Sequence, residues 1–94
     1  MAVYLVTWDL NRQRQNYAEA RARLIQHLQR YENIKDDGLD SVVFVSSTAD
    51  ANAVCTDIRA VLADSDKLVV TRMVAGQHQG WMAPNVWNWI NVRL

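Results

Sequence analysis

Ala2-Val-Tyr-Leu-Val-Thr-Trp-Asp9-Leu10 is a run of β-branched and aromatic residues that closes on a carboxylate. It is too short for an amphipathic helix, and apolar side chains fall on both of its alternating faces. That pattern predicts a strand in the interior of a sheet rather than at its edge. Asp9 is then the residue to explain, because a charge next to a buried strand is costly unless something uses it.

Working outward, the polar stretch Asn11 to Asn16 leads into Tyr17 to Tyr31. There Tyr17, Ala20, Leu24, Leu28 and Tyr31 recur at helical spacing, with arginines and glutamines between them. Asp37-Gly38 lies between Ile34-Lys35 and Leu39 to Ser46 and predicts a tight hairpin, since both positions tolerate positive φ. Its second arm, Ser41 to Ser46, is apolar on both faces and predicts a second interior strand. Ser47, Thr48 and Asp50 are candidate caps for a helix that buries Ala51, Val54, Cys55, Ile58, Val61 and Leu62. Lys67 to Val74 reads as a last strand, ended by Ala75-Gly76. In the tail Val86, Ile90 and Leu94 fit either helical or alternating spacing, and Pro84, which can open a helix, favours a short helix over a strand.

The predicted order is βαββαβ with a helical tail. Two right-handed crossovers then give an α+β, ferredoxin-like domain, a four-stranded antiparallel sheet with two helices on one face. The 94 residues are read as one domain spanning positions 1 to 94. Two helices cover only one face of a sheet whose central strands are apolar on both. The second face therefore needs the tail over it, or a second copy of the chain stacked sheet against sheet.

Half of the residues are hydrophobic and the formal net charge is zero, a globular profile that argues against a broad phosphate-binding surface. Charge is nevertheless uneven along the chain. Between Leu10 and Tyr31 stand Arg12, Arg14, Arg21, Arg23 and Arg30 against Glu19 alone, whereas Asp36 to Asp66 holds seven aspartates against Arg59. Cys55 is the only cysteine, so an internal disulfide and a Cys-based zinc site are excluded, and on an apolar helix face it acts as a small hydrophobe. No basic leader or long apolar stretch is present, which sets the expectation of a cytoplasmic protein without a membrane partner.

Asp9 is the candidate catalytic and metal-binding residue. Hard cations such as Mg²⁺ or Mn²⁺ take one or two carboxylates together with waters and phosphate oxygens. A two-fold homodimer that brings two copies of Asp9 together supplies such a pair, and a metal held there polarises a phosphodiester. Arg12 and Arg14 follow closely enough to contact flanking phosphates of RNA or DNA. Asn11 is read as fixing the turn through its side chain. The plain alternative is that Asp9 caps a helix or pairs with an arginine. His27 and His78 have no partner at metal spacing and are read as incidental. Trp81, Trp87 and Trp89 are read as core-filling or dimer-burying anchors.

The strand ending Trp8-Asp9-Leu10-Asn11, the Asn16-Tyr17 pair before a long helix, Leu39-Asp-Ser-Val-Val-Phe44 and Asp66-Lys-Leu-Val-Val70 resemble the CRISPR-associated Cas-two superfamily. The stand-alone SinR-like branch is the closest in look, with its Gly-Trp followed by a Trp-bearing tail helix, here Gly80-Trp81 and Trp87 or Trp89. This resemblance implies a ferredoxin-like homodimer in which the acid matching Asp9 lies near the two-fold axis and binds a divalent metal. It implies an endonuclease, or a non-catalytic dimeric scaffold, and the related VapD-like proteins are ribonuclease toxins. It also implies a place for Ser41 near the dimer cleft, although one extra Val separates Ser41 from Phe44. Trp8, which stands where the family commonly has Tyr, is expected beside that cleft.

Overall fold

The computed structural model describes residues 1–13 and 15–94. Its elements follow in the order β1 (Ala2–Asp9), α1 (Tyr17–Leu28), β2 (Glu32–Ile34), β3 (Val42–Ser47), α2 (Ala51–Arg59), β4 (Lys67–Arg72) and α3 (Pro84–Asn91). One antiparallel sheet runs β2-β3-β1-β4, the ferredoxin-like arrangement, with β1 and β3 at its centre. The two runs that are apolar on both faces are the two interior strands, as the pattern required.

Alternation along β1 divides the core. Tyr4, Val6, Trp8 and the following Leu10 point to one face with Val43 and Val45 of β3. Leu24 and Leu28 of α1, and Val54 and Ile58 of α2, close over them. Val3 points to the other face with Phe44 and Met73, and Val86 and Ile90 of α3 cover that side. The tail therefore supplies the second cover. Each fully buried aliphatic side chain in these layers contributes about 1.5–3 kcal/mol of apolar burial.

Helix ends follow local chemistry. Asp50 is the cap of α2, its Oδ1 accepting from the Ala53 N–H at 2.8 Å. α3 has Pro84 in its first turn, where a missing N–H costs nothing. α1 stops at Leu28, short of Tyr31, because the Arg30 and Tyr31 N–H groups bond carbonyls three residues back and tighten the last turn.

The connection between β2 and β3 departs from the expected two-residue turn. It spans residues 35–41, and Gly38 does not adopt positive φ; among the described residues only Gly76 does, at 78°. Asp36 accounts for the difference. Its Oδ1 accepts from the Gly38 N–H at 2.8 Å, an Asx turn, and its Oδ2 accepts from the Ala83 N–H at 2.8 Å. Lys35 donates from Nζ to the carbonyls of Leu39 and Val42, closing the longer loop.

Candidate functional site

Asp9 is the last residue of β1 and lies on the pleat of Leu5 and Thr7, the face turned away from α1 and α2. Its carboxylate is exposed and makes no hydrogen bond or ion pair with any described residue. It borders a recess of about 210 Å³ lined by Thr7, Trp8, Lys67, Leu68 and Val69. Lys67 stands directly opposite Asp9 in the β1/β4 ladder, so an acidic and a basic residue both border this recess. That pairing is invisible to motif reading, since it requires the register of strands distant in sequence.

The loop after Asp9 is fixed from both sides. Asp66 accepts from the Asn11 N–H and the Ala63 N–H, each at 2.9 Å, which ties the exit of β1 to the entry of β4. Asn11 Oδ1 accepts from the Gln13 N–H at 3.0 Å, so its side chain shapes the turn. Arg12 is exposed, its guanidinium 5.5 Å from the centre of the Tyr17 ring. Arg14 lies outside the described residues.

Ser41 and Trp8 meet through the backbone: the Ser41 carbonyl accepts from the Trp8 N–H at 3.2 Å and from the Thr7 hydroxyl at 2.8 Å. Trp8 is 6 % exposed and packs in the helix-covered core, while the residue also borders the recess. Among the described residues no three His, Cys, Asp or Glu side chains come together as a metal site. Asp9 is thus not part of a three-ligand cluster among the described residues.

The face that carries Asp9 is only partly closed. α3 covers the end around Val3 and Phe44, while Leu5 and Val42 remain half-buried and Val69 is 56 % exposed. Leu5 and Val42 line an apolar groove of about 300 Å³, bordered also by Phe44, Met73, Trp81, Met82 and Trp87. Trp87 and Trp89 pack against the core, but Trp81 is 99 % exposed. The loop that presents it is well held. His78 stacks on Trp87 with ring centres 5.8 Å apart and its Nδ1 donates to the Val74 carbonyl, while Gly80 approaches Trp87 so closely that a Cβ would sit 3.3 Å from the indole.

Sequence reasoning passed over one cluster on the helix side. Tyr31 donates its hydroxyl to Asp57 at 2.5 Å, both Arg30 terminal nitrogens reach Asp57 Oδ1 at 3.0–3.2 Å, and His27 Nε2 lies 3.0 Å from the Asp57 carbonyl. A carbonyl only accepts, so Nε2 carries the proton. Burial pushes the Tyr31 phenol up, the bond to Asp57 and its charge add to this, and the value reaches about 12. Burial pushes Asp57 up as well, but the Tyr31 hydroxyl, Arg30 and His27 outweigh it and hold the carboxyl below its usual range. The cluster clasps α1 to α2 across 26 to 30 positions of sequence, a separation that no local motif reports.

No known family's sequence profile matches this chain, and no curated protein matches it. No helix among the described residues is long and apolar enough to cross a membrane.

Proposed function

We propose that the protein is a homodimeric, metal-dependent phosphodiesterase acting on RNA or DNA, with Asp9 of each subunit as ligand to a shared Mg²⁺ or Mn²⁺. The observation that carries this reading is the exposed carboxylate of Asp9, unpaired among the described residues, at the end of a central strand on a half-covered sheet face. A strand-end acid with a structural task would cap a helix or hold an arginine, and Asp9 does neither within the described residues.

The residues of one chain fit a divalent ion only in part, which is why the reading needs two copies. Mg²⁺ accepts one or two carboxylates and completes its shell with water and phosphate oxygens. Bound there, it would polarise a phosphodiester and acidify a water. Lys67, opposite Asp9, and Arg12, beyond it, are placed to receive phosphate oxygens and orient a strand. A second copy also gives the half-covered face its remaining cover, with exposed Val69 and Trp81 as the apolar surface to be buried.

Asp9→Ala tests the assignment. Wild-type protein is expected to cleave single-stranded RNA or DNA in Mg²⁺ or Mn²⁺ and the variant to lose at least about 100-fold in rate, the scale of a lost electrostatic stabiliser. Equal cleavage by both would falsify the role of Asp9. A second reading, a non-catalytic dimeric scaffold or interaction module, is favoured by the zero net charge and the exposed Trp81. Thermal unfolding separates the two, because a metal that binds only the native dimer raises the melting midpoint and a scaffold without a metal site shows no shift.

A further inference from the structure

On the helix layer, across the sheet from Asp9, lies a cleft of about 450 Å³, lined by Arg23, Gln26, His27, Gln29 and Arg30 of α1 and its exit, with Val61 as the apolar wall. Positions 23, 26, 27 and 30 follow the i, i+3, i+4, i+7 spacing that puts side chains on one helix face.

We infer that this cleft binds a phosphate group, carried by a nucleotide or by a nucleic-acid backbone, and that Arg23 is its principal ligand. Arg30 is pre-oriented by Asp57, whose second oxygen is occupied by the Tyr31 hydroxyl, so the carboxylate that holds Arg30 is itself already matched. Arg23 is exposed and has no hydrogen bond or ion pair among the described residues. Two guanidiniums, one held and one free, with the Gln26 and Gln29 carboxamides beside them, form a donor-rich wall that suits a tetrahedral oxyanion.

The C-terminal end of a helix ordinarily repels anions. Here that end is largely spent: the carbonyls of Ile25, Gln26, His27 and Leu28 accept from the N–H groups of Gln29, Arg30 and Tyr31. The positive charge of Arg23 therefore faces the cleft with little opposition. Because Asp9 lies on the other side of the sheet, this site stands or falls independently of the phosphodiesterase reading.

The test is a titration of ¹⁵N-labelled protein with inorganic phosphate, adenosine 5′-monophosphate and octauridylate, repeated with Arg23→Ala. Amide shifts are expected at residues 23–30 and Val61, with affinity at these amides lowered about tenfold by Arg23→Ala, the loss of one charge-assisted contact. If phosphate or the mononucleotide saturates the cleft as readily as the strand, the ligand is a free phosphate ester. Binding of the strand alone, with the salt slope reduced by about one in Arg23→Ala, identifies backbone recognition. Arg23 is exposed and unpaired among the described residues, so its variant is expected to melt with the wild type, which keeps folding out of the comparison. Absence of shifts at residues 23–30 with all three probes, or equal affinity of wild type and Arg23→Ala, overturns the inference.

Discussion

The two faces of the sheet are closed in different ways. On one, α1 and α2 lie over Tyr4, Val6, Trp8, Val43 and Val45, and a half-buried clasp of His27, Arg30, Tyr31 and Asp57 joins the helices to each other. On the other, α3 lies over Val3, Phe44 and Met73, and its clasp is an exposed pair, Arg93 Nε donating to Glu32 at 2.6 Å with the guanidinium 4.1 Å from the Trp89 ring centre. An exposed pair of this kind contributes less than about 1 kcal/mol, so the second face is held by its cluster of aliphatic and aromatic contacts and stays open beyond Leu5. The larger buried cluster lies on the helix side, whereas the α3 side leaves Asp9, Val69 and Trp81 uncovered.

The sharpest way to break this contrast is to cut one side chain from each face. Leu24→Ala, under the two helices, is expected to cost about 3–5 kcal/mol in urea unfolding and to weaken the whole domain. Ile90→Ala removes a side chain just as buried, yet its expected cost is about 2–3 kcal/mol, because α3 can shift on the sheet where a core helix cannot. Hydrogen exchange distinguishes the modes: in Ile90→Ala the α3 amides are expected to lose protection while those of β1 and β3 keep it. Simultaneous loss at both would mean that the faces are one cooperative unit.

Titration reaches the helix-side clasp from two directions. Asp57 has a depressed folded-state value, so its contribution is complete above the ordinary carboxyl value of 3.8 and is lost as pH falls through the lower folded one. Tyr31 is raised from 10.0 to about 12, so its contribution is complete below pH 10 and is lost as pH rises through 12. Thermal melts across pH should therefore show a decline at the alkaline end that Tyr31→Phe abolishes. A decline that persists unchanged in the variant would remove Tyr31 as its source.

The smallest expected effect on stability comes from the open face. Trp81→Ser should change unfolding of the isolated chain by no more than about 0.5 kcal/mol, since the indole is 99 % exposed. The same substitution should weaken self-association in sedimentation runs at micromolar concentration, where wild type is expected as a dimer. Wild-type protein that sediments only as a monomer would remove both the interface and the two-copy metal site.

The interior strands were legible because β1 and β3 carry apolar residues on both pleats, a pattern with few other homes. Asp9 stood out for the same reason, as a charge that interrupts such a run. The turn at Asp37-Gly38 misled because its rule assumes strands that begin beside it, whereas Lys35 and Asp36 bond across a longer loop and delay β3 to Val42. Lys67 beside Asp9, and His27 beside Asp57, depend on strand register and helix packing, which spacing along the chain does not encode. Trp81 looked like its neighbours Trp87 and Trp89, and only the path of the loop after Gly76 separates an outward indole from two packed ones.

The Asp36 carboxylate, which accepts from Gly38 and from Ala83, spans 47 positions of sequence with one side chain. The β2–β3 connection and the entry to α3 are thereby held to one another, and α3 in turn lies over Val3 and Phe44. One carboxylate thus links the shape of a loop to the cover of a sheet face.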